Sequence, residues 1–408
     1  MKIFLGEVRR YLRPLTLAVA GLLMVFWVIL YHSGFERPSF RHWGLLSVEY
    51  QQRFGDTIDR EELEIIKQEL DDLHAELDGL IETYMGEYDI HSFEDYWLLT
   101  QLDSYRATDE EKVREAEERW GAEHLDELAN TCWSIYWHGS MEELAWREQD
   151  IRHLIDKFEF VHDNEEYEEA VSTNDPEWGF HLSDYQKKRI LADLQGDEMS
   201  LVTFGHTDFR DYFEYYMVLI YVLCAVITVP FLVTNRVTDV QTIQFSAKIG
   251  KGILNKQLGA ALVLAAAANL IVDTFFYLAF FYNEDQEHYL LNCPLNVGAG
   301  RNQLWLDLTY RQYVFLMFAQ VLLLSLTLTC GLFAASYRCK NYITAAAIAV
   351  PSVIAVSLLS QNAPTHMYLE NNAAWEYPVM ILLPVIVVPV AVGAIHALFS
   401  EKRIMNGE

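Results

Sequence analysis

Basic residues are scarce in this chain, with 30 Lys and Arg against 58 Asp and Glu in 408 residues, and a net charge of −28 excludes a nucleic-acid partner, which needs cationic surface. Cysteine is scarce too: none of the five stands in CxxC or His/Cys spacing, which excludes a structural metal site. The motifs that handle nucleotides and nucleophiles are missing. There is no GxxxxGK[ST] loop, because Gly250-Lys251-Gly252 lacks the spacing that lets backbone amides cradle phosphates, and no GxGxxG, HExxH or GxSxG occurs. We therefore expect no catalytic residue and no cofactor on this chain. Any energised work would draw ATP and Mg through another one.

What the chain does have is apolar length, 52% of its residues, beside that strong charge. The two properties are segregated. Residues 32–214 hold 47 acidic and 16 basic residues, a net of −31, which leaves +3 for the remainder. Six apolar segments, 15–31, 215–233, 258–282, 313–335, 343–359 and 379–399, are each near the roughly 20 residues that cross hydrocarbon. The first has no small-residue cleavage site after it and ends on bulky Phe26-Trp27, so it is a span and not a cleaved signal. The expected fold is all-α: six spans, with an acidic, mainly helical domain at 32–214.

Basic residues set the orientation, because Lys and Arg in short connections resist translocation while long acidic domains cross regardless of charge. Lys2, Arg9, Arg10 and Arg13 precede span one; Arg236, Lys248, Lys251 and Lys256 follow span two; Arg338 and Lys340 follow span four; Lys402 and Arg403 follow span six. The connections at 32–214, 283–312 and 360–378 are acidic. Both termini, the segment 234–257, the loop 336–342 and the tail 400–408 are thus expected in the cytoplasm of a cell with a plasma-membrane protein, and 32–214 outside it. Only Cys132 and Cys293 would share the oxidising side.

Residues 1–14 form an amphipathic helix, with Met1, Phe4, Leu5, Val8 and Leu12 on one face and the basic residues opposite, suited to lying on the lipid bilayer. In the acidic domain, Asp59 with Glu62 makes a capping signature, followed by Leu63, Ile66, Leu70, Leu73, Leu77, Leu80 and Tyr84 at 3-4 spacing. Further helices are expected at 92–105, 109–136, 141–160 and 182–194, and no Val/Ile/Thr alternation calls for a sheet. Ten of the thirteen histidines lie here without ligand spacing, as on a solvated acidic surface. Within the spans, Asp273 is the one clear acid, a turn beyond Asn269; such groups are costly in hydrocarbon, and the two are candidates for a translocation path.

Between spans two and three, Thr238 and Asp239 open a polar stretch carrying Thr242, Phe245, Ser246, Lys248, Gly250, Lys251 and Lys256. It resembles the segment of ABC type-2 exporter permeases in which an acid, Thr, a small residue, a basic-Gly-basic cluster and Lys precede the next span. Asp239 stands where Glu is usual, and Ala247 replaces the common Pro. The layout is similar too: one span, a large outer domain, then five spans. The resemblance implies a coupling helix docking on a separate ATPase subunit through Thr238, Asp239, Thr242, Phe245, Ser246, Lys248 and Lys251. It also implies a second permease copy, identical or related, and export of an amphipathic peptide or lipid. The alternative is a membrane-anchored sensor or scaffold whose outer domain captures a ligand without transport. A four-span force-transmitting layout and a secondary transporter fit less well, having too few spans or wanting internal repeats.

Overall fold

The computed structural model describes residues 2–35, 38–102, 109–137, 141–202, 205–238, 240, 253–282, 287–339 and 341–365. Among them the regular elements are helices, apart from one two-stranded ribbon and an isolated bridge between Pro294 and Thr309. Helix α1 (Lys2–Tyr11) meets α2 (Pro14–Phe35) at a bend of 54° between Ile3–Tyr11 and Pro14–Leu30. Pro14 lacks an N–H and opens the second helix at its first position, where none is needed.

The acidic domain follows as α3 (Pro38–Phe54), β1 (Thr57–Asp59), α4 (Arg60–Met85), α5 (Phe93–Thr100), α6 (Glu110–Trp120), α7 (Leu125–Trp137), α8 (Glu142–His162), α9 (Glu165–Thr173), α10 (Asp184–Leu194) and β2 (Glu198–Ser200). Helix α4 starts on the expected capping box: Asp59 accepts from the Glu62 N–H at 2.9 Å, and Glu62 accepts from the Asp59 N–H at 3.0 Å. Its buried stripe is Leu63, Ile66, Leu73, Leu77, Ile81 and Met85, packed against α8, while Tyr84 is exposed. The stripe leaves the heptad after Leu77 because a straight helix drifts about 20° per heptad. The helix expected over 109–136 is two helices, broken at Gly121, whose φ of 84° is left-handed backbone that ends α6. Strands β1 and β2 pair antiparallel with Ile58 opposite Met199, so a short ribbon joins the two ends of the domain where no sheet was expected.

The bundle comprises α11 (Gly205–Val237), α12 (Ile253–Phe281), α13 (Tyr310–Arg338) and α14 (Tyr342–Thr365). These four are long and apolar enough to cross a membrane, and the bent α1–α2 pair brings the number to five if it is counted as one broken span. The chain is thus an all-α membrane protein; the sixth apolar segment, 379–399, lies outside the described residues. Helix α11 is the axis, packed on α2, α12, α13 and α14. Leu15, Leu22 and Ile343 are 70–83% exposed on the bundle's flanks, as lipid-facing apolar residues must be.

Residues 287–309, between α12 and α13, dock on the acidic domain. Asp193 of α10 accepts from the Gly298 N–H at 2.9 Å and the Gly300 N–H at 2.8 Å, the Ser200 N–H donates to the Val297 carbonyl at 3.0 Å, and Arg189 reaches the Trp305 carbonyl at 2.9 Å. The domain is therefore held to the bundle by chain continuity at α2–α3 and at α11, by this docked segment between α12 and α13, and by Val48 of α3 and Val202 packed in the bundle's apolar cluster. All five cysteines are free thiols, and Cys132 and Cys293 lie in different apolar clusters.

Gly298 has φ of 64°, and a Cβ there would stand 2.7 Å from the Met199 Cα. Gly298→Val is expected to lose at least about 2 kcal/mol from backbone strain and collision and to expose 287–309 to limited proteolysis, while the apolar helices stay protected. Unchanged protease resistance would show that this docking is dispensable.

Candidate functional site

Two polar constellations lie inside the apolar bundle, one at the end remote from the acidic domain and one at mid-bundle. At the remote end, α1 packs on α12 and α11 through Phe4, Val8 and Tyr11, with Tyr11 against Phe231 at 3.8 Å between ring centres. Leu5 and Leu12, from the same predicted stripe, remain exposed, so the apolar face of α1 is divided between protein and surroundings. This packing buries Glu7, only 4% exposed. An acid so placed needs partners. Arg10 donates to both Glu7 oxygens at 2.9 and 3.2 Å, and Gln257 of α12 donates to Glu7 Oε2 at 3.1 Å. Arg10 also donates to Asn235 Oδ1 of α11 at 3.0 Å, and the Tyr11 hydroxyl donates to the Gln257 carbonyl at 3.2 Å.

The clamp extends across the bundle. Arg236 donates to the Tyr337 carbonyl at 2.7 Å, tying α11 to α13, and Thr234 and Tyr342 hydroxyls lie 2.6 Å apart, tying α11 to α14. Asn235 and Gln257 flank the stretch that resembles a coupling segment. Thr238 is exposed and donates to the Thr234 carbonyl at 2.7 Å. Asp239, Thr242, Phe245, Ser246, Lys248 and Lys251 lie outside the described residues.

At mid-bundle, Asn269 and Asp273 of α12 are 1% and 6% exposed. They face α11 and α13. Asn269 donates to Ser325 Oγ of α13 at 3.2 Å, and Asp273 is within electrostatic range of Tyr216 on α11, whose ring stacks on Phe276 at 4.7 Å. Asp273 Oδ1, the Tyr216 hydroxyl and Gln320 Nε2 find no hydrogen-bond partner among the described residues. The two predicted path residues are thus brought together on one helix face against two neighbours. This seam can accept a hydrogen-bond donor or a cation that enters it.

Glu7, Asn235 and Gln257 escaped the sequence argument. Their signal was faint: one acid in a basic amphipathic helix, and one amide at each edge of the polar stretch. Compared with protein-family models, curated proteins and solved structures, the chain matches none.

Arg10→Ala leaves Glu7 buried with only Gln257 and is expected to cost about 2 kcal/mol, lowering the melting temperature in detergent. Glu7→Gln with Arg10→Ala should recover much of that loss, since no buried charge then remains. Thermal unfolding of both variants checks this, and an additive double variant would mean that the pair does not act as a clamp.

Proposed function

We propose that this chain is the permease subunit of an ATP-driven exporter, with six spans, both termini in the cytoplasm and residues 32–214 outside the cell. In this reading a separate ATPase docks on 234–257 through Thr238, Asp239, Thr242, Phe245, Ser246, Lys248 and Lys251. Two permease copies, identical or related, enclose one pathway for an amphipathic peptide or lipid. ATP and Mg bind to the partner, and the chain itself has no catalytic role.

The observation that carries the proposal is the clamp. Its two amides, Asn235 and Gln257, bracket the docking stretch, and Arg10 and Glu7 hold both to α1. A push delivered anywhere between them moves α1, α11 and α12 together, and Arg236 and Thr234 pass it to α13 and α14. Such a bundle suits alternation between two packed arrangements biased by a soluble motor. The polar seam of Asn269 and Asp273 lies between helices that such a motion would rearrange. The docking of 287–309 on the acidic domain supports transmission to the far side, because α12 and α13 cannot shift without pulling on it.

Affinity purification in mild detergent tests the proposal. The unaltered protein is expected to recover an ATPase, and the variant with Asp239→Arg and Ser246→Arg is expected to lose it. Recovery of no ATPase with the unaltered protein would sink the exporter reading in favour of a scaffold. Recovery with both would move the docking surface elsewhere.

A further inference from the structure

The acidic domain contains a cavity of about 330 Å³ between α5, α7 and α8, within the size range of small-molecule sites. Its walls are aromatic. Tyr96 and Tyr136 stack at 4.2 Å, Trp97 flanks Phe93 at 6.0 Å, and Trp137 and the exposed Trp133 continue the lining toward solvent. The rings are held by a polar floor: buried Glu148 lies 3.0 Å from His74 and accepts from Arg152 at 2.8 Å. Arg152 in turn lies 3.7 Å over the Trp97 ring, an internal cation–π contact that occupies this face and leaves the other rings of the lining to a ligand.

Charge decides what fits. Glu148 and Arg152 pair with each other, and Asp156 adds an exposed carboxylate at the mouth, within electrostatic reach of Arg152 and His153, so that the lining holds one more carboxylate than guanidinium. The Tyr136 hydroxyl is buried within electrostatic reach of Glu148 and Arg152 and has no hydrogen-bond partner among the described residues. Around the cavity stands a region of net charge −31, which raises the local concentration of cations. π-faces, a carboxylate rim and a negative field together disfavour anions and favour a positively charged organic group.

We propose that this cavity is a binding site for an organic cation, either a free alkylammonium compound or the side chain of Lys or Arg on a basic peptide. The cationic head lies against Tyr96, Trp133 and Trp137, with Asp156 as its counter-ion. The site belongs to the acidic domain alone and stands or falls independently of the exporter reading.

Isothermal titration of the full-length protein in detergent, at constant ionic strength, tests it with three probes: choline, its neutral isostere 3,3-dimethyl-1-butanol, and a capped tetralysine peptide. Choline or the peptide is expected to bind saturably, choline alone indicating a small free cation and the peptide alone a basic side chain. Trp133→Ala and Asp156→Asn, both exposed positions, are each expected to weaken binding about tenfold, with circular dichroism unchanged. If Trp133→Ala fails to fold, Asp156→Asn carries the comparison. Absence of binding by both cations, equal binding of the neutral isostere, or unaltered affinity in the folded variants would overturn the proposal.

Discussion

A polar group inside an apolar helix bundle has no water to turn to, and the membrane half of this protein is arranged around that constraint. Asn269 finds Ser325, Tyr212 finds the Phe276 carbonyl, and Tyr221 finds Ser360, each joining two different helices. Glu7 is the charge most fully met in this way. Burying its carboxylate requires Arg10, Arg10 brings Asn235, and Glu7 itself brings Gln257, so satisfying one charge fixes α1 on two bundle helices. The position of α1, and with it the geometry at both edges of the polar stretch, follows from solvation as much as from apolar packing.

The acidic domain meets the opposite condition. Its many carboxylates stay in water, and its stability rests on apolar clusters beneath α4, α5, α7 and α8, with a second cluster under α9 and α10. Two acids are nonetheless buried there, Glu148 and Asp150, each 2% exposed, with Glu148 held by His74 and Arg152, and where 287–309 docks the half-buried Asp193 gathers two backbone donors. That carboxylate performs for one end of the bundle what Glu7 performs for the other: it makes a segment distant in sequence part of the same body. The two carboxylates thus act at opposite ends of the bundle, one seating α1 on α11 and α12 and the other seating the segment between α12 and α13.

Much of this was legible in the sequence. The apolar segments predicted the long helices because a backbone in hydrocarbon must close its own hydrogen bonds, and Asp59 with Glu62 marked the start of α4 because an N-cap is a local event. The misses were non-local or too brief. Strands β1 and β2 have three residues each and lie far apart in the chain, below any detectable alternation. Helix α9 buries Tyr167, Ala170 and Val171 inside a run of glutamates that looks wholly solvated. Asn269 and Asp273 could be named from their cost in hydrocarbon, but Tyr216 and Ser325 could not, because their roles depend on which helices become neighbours. Asn235 and Gln257 resemble ordinary polar flanks of a span until α1 folds between them.

The exporter reading requires the seam around Asp273 to change its accessibility when the motor binds ATP. The direct measurement is labelling of a cysteine at 273, in a background with the five native cysteines replaced, by a small membrane-impermeant thiol reagent added outside vesicles that contain this chain and its ATPase. Labelling is expected to rise when ATP is supplied and to fall back when it is exhausted. Labelling that does not respond to ATP would contradict a pathway through this bundle.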